Sequence, residues 1–341
     1  MGLLGVAAAG AALGGCSVDP RDDEGTRAAG AAIQKGGWER RTLGWGAGPE
    51  EVGLRAAAKD FPAEGPSSVA VGPSGAVVLL DRLNERVVQV SANGDVRSHV
   101  KVARETEHVA VGSDGAIAAW SPLTATVWIS GRDGAPLGEV TVPRALRDVA
   151  RFDLGLSHRV LVTTSTQETM VLGSPRAPLD LASALRSKRE GAAFLADGRG
   201  VAARVTDGAG EILVYRKPVV DKDGDSKVAV ASTFPIEAPV AAVRIVGATG
   251  NVVCARVERV TQAAAPESEV VVEREALCVD VDTGSILARR PMGRRGLYTM
   301  HADVAVGGNP PVLAIVKPEE DGLHLERIPL SAAAVRTEVA R

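Results

Sequence analysis

Aromatic side chains are scarce: four Phe, four Trp and two Tyr among 341 residues. That leaves little surface on which to stack sugars or bases. An excess of one charge is missing too. The formal net charge is −3, which gives no electrostatic reason to expect nucleic acid. No Gly-x-Ser-x-Gly elbow occurs, and Cys254 falls in strand-like sequence. An esterase or protease reading therefore has no support. The five histidines, His99, His108, His158, His301 and His324, never pair at metal-ligand spacing. Asp221-Lys222-Asp223-Gly224-Asp225 opens like a calcium loop, but the sixth and twelfth positions are Ser226 and Ser232. A calcium loop needs Gly and a bidentate Glu there, so the stretch reads as an acidic hairpin turn.

What the chain does have is a repeat. Ser67-Ser68-Val69-Ala70-Val71-Gly72-Pro73-Ser74-Gly75 is matched 40 residues on by Glu107-His108-Val109-Ala110-Val111-Gly112-Ser113-Asp114-Gly115. After another 40 residues comes Arg147-Asp148-Val149-Ala150-Arg151-Phe152-Asp153-Leu154-Gly155. Strand-like repeats of about 40–45 residues are propeller blades. In the first unit Val69–Val71 reads as the inner strand, then Ala76–Leu80, Val87–Val90 and Val96–Val102 as three more. Further inner strands open at Ala192, Val243 and Asp303, which makes six. The expected fold is all-β, a six-bladed β-propeller of four-stranded antiparallel blades. Little strand-like sequence follows Ile328, whereas Glu51–Ala57 precedes the first blade unused. An N-terminal strand is therefore expected to complete the last blade and cover its edge.

The first unit also carries Asp81-Arg82-Leu83-Asn84-Glu85-Arg86-Val87 between its second and third strands. Together with Val69-Ala70-Val71-Gly72-Pro73-Ser74-Gly75, this resembles an NHL repeat. In the second unit Ser121, Thr124 and Thr126 stand where the polar trio Asp81, Asn84 and Arg86 would be. The resemblance implies a binding platform; related propellers include lyases and lactonases.

Residues 2–15 are small and apolar, too short to span a bilayer and of the length of a signal h-region. They end in Leu13-Gly14-Gly15-Cys16, which resembles a bacterial lipobox. The resemblance implies a signal peptide over 1–15 and a lipid on Cys16. With Ser17 following, it implies an outer-membrane address facing the periplasm or the cell surface. Residues 16–37 read as a flexible tether, and 38–335 as a single propeller domain. An oxidising address gives the other cysteines a role. Asn251–Val260 and Val270–Val281 read as strands of one hairpin, and Cys254 and Cys278 are equidistant from Pro266 at its turn. A hairpin centred there sets them face to face, within disulfide range. The other reading is two buried thiols.

Acidic residues precede the inner strands: Glu64, Glu107, Asp148, Glu190, Glu237 and Asp303. In lactonase-like propellers such carboxylates surround a channel calcium. His108 and His301 also precede inner strands and are placed to approach the channel mouth. Arg289, Arg290, Arg294 and Arg295 form a basic stretch that could meet an anionic group, in a connection from an outer strand to the next inner one. The expected role is a lipid-anchored binding or scaffold module among other envelope proteins, held to the membrane by its anchor, with no nucleic acid. No catalytic residue and no cofactor is assigned. Calcium enters only with the alternative, a calcium-dependent lactonase- or lyase-like enzyme.

Overall fold

The computed structural model describes residues 38–146, 149–216, 219–220, 226–227, 229–261, 271–293 and 296–331. The chain divides into units 1–35 and 36–341, and every described residue belongs to the second. Cys16, Asp148, the 221–225 stretch, Pro266, Arg294 and Arg295 thus lie outside the described residues. Among the described residues no helix is long and apolar enough to cross a membrane.

Six antiparallel sheets follow one another along the chain, and their inner strands surround a channel. Blade 1 is Ser68–Val71, Val77–Asp81, Arg86–Val90 and Val96–Lys101; blade 2 is His108–Val111, Ile117–Ser121, Thr126–Ser130 and Pro136–Thr141. Their second strands, Val77–Asp81 and Ile117–Ser121, are buried along their whole length because neighbouring blades cover both faces. That is why they read as unbroken apolar runs rather than as alternation. The outer strand Pro136–Thr141 buries only Val140.

The repeat's closing glycines have a geometric reason. Gly75 and Gly115 sit at φ +73° and +87°. Each donates its N–H to the carbonyl three residues back, closing the turn after the inner strand. A side chain there would be strained. In the third copy Gly155 bonds instead to Arg159, across a short 3-10 turn, Leu156–His158.

Blade 3 departs from the four-stranded pattern at its outer edge. Val149–Leu154, Val160–Thr164 and Glu168–Ser174 are followed by Ala177–Pro178, a helix Leu181–Arg186 and Arg189–Glu190. Both short strands pair with Glu168–Ser174, so they share the outer position. Asp180 caps the helix by accepting the Ser183 N–H at 2.7 Å. Blade 4 is Ala193–Phe194, Gly200–Thr206, Ala209–Tyr215 and Val230–Ile236; blade 5 is Ala242–Thr249, Val252–Thr261, Val271–Asp280 and Ile286–Gly293.

Blade 6 takes Val304–Gly307, Val312–Glu319 and Gly322–Pro329 from the C-terminal end. Its outer strand is Arg40–Trp45, in register from Arg40 opposite Glu326 to Leu43 opposite Leu323. The N-terminal strand does close the ring, but it is not the Glu51–Ala57 stretch. Of that stretch only Glu51–Val52 is a strand, and it pairs in parallel with Gly44–Trp45. Leu43 and Val52 both enter the apolar cluster shared by blades 6 and 1. Similar clusters lie between blades 1 and 2, 2 and 3, 4 and 5, and 5 and 6.

Cys254 lies directly opposite Cys278 in blade 5, with every pair of that hairpin in the expected register. The structure joins their Sγ atoms, and their Cα atoms are 4.1 Å apart. Both are buried in the cluster between blades 5 and 6. Non-reducing peptide mapping is expected to recover them in one linked fragment. Replacing both by alanine is expected to lower unfolding free energy by about 3 kcal/mol, read from urea melts, since the bridge closes a loop of moderate length. Two alkylatable thiols in the denatured, unreduced protein would count against the bridge.

Candidate functional site

The inner strands enclose a channel of about 470 Å³, walled by Val and Ala side chains interleaved with nearly as many polar and charged ones. Ala150 and Arg244 line it and are exposed to its solvent. Arg151 is tied along its own strand to Asp153 at 2.7 Å. His108 opens the inner strand of blade 2, and His301 stands just ahead of that of blade 6.

Three inner-strand starts are stitched together through Ser67. Its carbonyl accepts the His301 N–H at 2.8 Å, and its hydroxyl donates to the Glu107 carbonyl at 3.1 Å. On the next residue, Ser68 Oγ accepts the Val109 N–H at 3.3 Å. The 40-residue register sets Ser67-Ser68 of copy one where copy two has Glu107-His108. Small side chains at blade 1 therefore leave room for His301, ahead of blade 6, to reach His108 of blade 2. The two imidazoles lie 5.2 Å apart between centroids. His301 Nε2 is 3.8 Å from Glu107 Oε2. Donor atoms of Glu107, His108 and His301 all fall within 4.8 Å of one another.

His108 is held on its inner side by aromatics. It is the cross-strand partner of Trp120 and stacks on that ring at 5.3 Å, with the edge of Phe152 at 6.3 Å. Burial there, and secondarily the charge of His301, lower its pKa from 6.5 to about 4. The imidazole is neutral at pH 7. Trp120 Nε1 is buried without an acceptor among the described residues.

This predicts an acid-sensitive fold. The folded protein binds fewer protons at His108 than the unfolded chain does between pH 6.5 and about 4. Stability therefore falls as pH drops through that window, by on the order of 3 kcal/mol in all, and His108 contributes no slope above it. Urea melts of the chelator-treated protein across this range, compared with His108→Gln, should show the slope and its loss. Equal slopes in both proteins would refute the assignment.

Among the described residues, the acids ahead of the inner strands do not ring one point. Glu64 pairs with Arg55 and with Arg82 at 3.1 Å. Asp303, 6% exposed, is clamped by Arg256 at 3.2 Å and Arg274 at 3.0 Å. Glu190 is exposed on the outer edge of blade 3. Glu64 and Asp303 are thus engaged by arginines, and Glu190 lies away from the mouth. Only Glu107 among the described acids joins His108 and His301.

The basic stretch differs from its expected place. Arg289 and Arg290 belong to the outer strand Ile286–Gly293 of blade 5, not to a connection. Arg289 approaches Glu275 and Arg290 approaches Glu326, each at 3.9 Å. Of the remaining histidines, His158 bonds Asp114 at 2.7 Å and His324 bonds Asp321 at 2.8 Å, both at the surface.

The fold and the mouth together define a six-bladed propeller with a ligand-sized channel. No family profile and no curated protein sequence matches the chain. Solved structures with similar backbones include virginiamycin B lyase from Staphylococcus aureus, at 10% identity over 77% of this chain and 94% of that one, TM-score 0.42. The calcium-binding protein regucalcin from Agrobacterium tumefaciens shares 13% identity over 78% and 91%, TM-score 0.40. PQQ-bound aldose sugar dehydrogenase from Streptomyces coelicolor shares 14% over 84% and 96%, TM-score 0.38.

Proposed function

We propose that this propeller is a lipid-anchored binding module of a cell-envelope assembly, held to the outer membrane through Cys16 and presented to the periplasm or the cell surface on the 16–37 tether. The observation that carries the binding role is the channel. Its volume of about 470 Å³, and a wall that sets Val and Ala side chains beside convergent polar and charged groups such as His108, Gln167, Arg244 and His301, have the character of a ligand pocket. The lipobox-like Leu13-Gly14-Gly15-Cys16 supports the anchor, and a cystine at 254 and 278 suits an oxidising compartment. Arg289, Arg290, Arg294 and Arg295 are the proposed contact for an anionic group on a partner. Nothing in this role requires a cofactor.

Two substitutions test it separately. Cys16→Ser should move the protein from the membrane to the soluble fraction, because the acyl chains' contribution of about 0.8 kcal/mol per buried methylene is lost. Intact mass showing an unmodified Cys16 with Met1 retained would refute the anchor. Ala150→Trp projects a bulky ring into the channel from an exposed position. Partners cross-linked in membranes and identified by mass spectrometry should be lost in that variant. Undiminished capture would remove the channel from the binding role.

A further inference from the structure

The Glu107, His108 and His301 cluster is independent of the envelope role, and its chemistry is specific. We propose that these three side chains form a binding site for one divalent transition-metal ion of the zinc type, with the remaining coordination position open toward the channel.

The donor set selects the class of ion. Two imidazoles and one carboxylate suit zinc and its first-row neighbours, whereas calcium and magnesium take oxygen ligands. Three protein ligands with one open position is the arrangement of an accessible site rather than a closed structural one. Neither ring nitrogen of His108 has a hydrogen-bond partner among the described residues, so a lone pair is free to coordinate. The ring itself is fixed, stacked on Trp120 with Phe152 at its side. The other two ligands have room to adjust: their side chains are 45% exposed for His301 and 34% for Glu107.

Distance supports the fit. Ligand atoms around a tetrahedral zinc ion sit about 3.3 Å apart. The donors here lie within 4.8 Å of one another, with His301 and Glu107 at 3.8 Å. Closing that gap falls to rotation of the exposed His301 and the half-buried Glu107 side chains. The backbone beneath is already fixed, since Ser67 bonds to both His301 and Glu107. The ligands come from two blades that are not neighbours and span the narrow start of blade 1. An ion bound there would also tie blade 6 to blade 2.

A second cluster, Glu319, Asp321 and His324, supplies the control. It stands on the exposed turn between Val312–Glu319 and Gly322–Pro329, with His324 already bonded to Asp321. Zinc binding to the full-length protein is measured by calorimetry, and cobalt(II) reports coordination through its visible absorption. One ion per chain is expected. His301→Ala and Glu107→Gln should each weaken binding by about 100-fold or more, at least the cost of disturbing an outer-sphere partner. His324→Ala should bind as the parent does. Melting in chelator checks that the variants fold, and the zinc-induced rise in melting temperature should vanish in His301→Ala and Glu107→Gln. Absence of one-to-one binding, parental affinity in either of those variants, or loss of binding in His324→Ala overturns the proposal.

Discussion

Deleting residues 38–58 is expected to unfold the propeller rather than trim it. The segment supplies the outer strand of blade 6, so its loss exposes the backbone edge of Gly322–Pro329. It also uncovers the core: Leu43 and Val52 are fully buried, packed with Val71, Val77, Leu79, Val312 and Leu323. Three further ties go with it. Trp38 Nε1 donates to the Ser91 carbonyl at 2.7 Å, Trp45 Nε1 to the Glu319 carbonyl at 3.0 Å, and Arg327 N–H to the Glu39 carbonyl at 2.8 Å. One buried leucine truncated to alanine costs about 2–5 kcal/mol, and whole domains are stable by about 5–15 kcal/mol. Two buried apolar anchors, a strand's hydrogen bonds and two indoles together reach that total. The truncated protein should show no cooperative urea transition by circular dichroism. Leu43→Ala alone should retain a transition, lowered by about 2–5 kcal/mol. A truncated protein that melts like the parent would mean that the closing strand carries no stability.

Much of this architecture was legible because the repeat is tied to backbone geometry. Gly75 and Gly115 must hold positive φ, so they persist at fixed spacing while side chains around them vary. The cysteine pair was legible because an uninterrupted antiparallel hairpin fixes register along its length. The closing strand was harder to place. Arg40-Arg41-Thr42-Leu43-Gly44-Trp45 buries only Leu43 fully, and its flanking arginines hide the strand in a hydropathy reading. Glu51–Ala57 looked better placed, yet only Val52 of that stretch packs deeply into the cluster at the 6–1 junction. The outer edge of blade 3 was lost because a six-residue helix interrupts it. At the site, His108 and His301 were visible as mouth residues, but not as neighbours. Their approach depends on Ser67 and Ser68 being small at the intervening blade, a long-range steric fact that no local pattern reports. The equivalence of Ser67-Ser68 to Glu107-His108 was the available signal.

The polar trio of blade 1 explains why that motif occurs there and is replaced in blade 2, and it gives the second large effect. Asp81 is fully buried, and both of its oxygens are used. Oδ1 accepts the Gly53 N–H at 3.0 Å, while Oδ2 accepts Asn84 Nδ2 at 2.8 Å and Arg86 Nε at 3.0 Å. The donors then reach outward to the closing segment. Asn84 Nδ2 also donates to the Gly46 carbonyl at 2.8 Å, and Arg86 Nη2 to the carbonyls of Gly48 at 2.9 Å and Glu51 at 2.6 Å. The NHL-like residues thus clamp the strap that leads from the closing strand into blade 1. Gly53 is required for the approach, since a Cβ there would stand 2.6 Å from Leu83 Cβ. In blade 2 no such strap arrives, and Ser121 with Thr124 suffices to bond its own turn. Asp81→Ala leaves Arg86 charged against a buried surface, and breaking a buried pair in this way costs about 3–5 kcal/mol. Arg86→Ala should cost a comparable amount. The double variant should cost clearly less than the two together, because each single change already removes the shared contact. Urea melts of the four proteins form the cycle. Strictly additive losses would show that Asp81 and Arg86 act independently, and that the clamp is not what holds the strap.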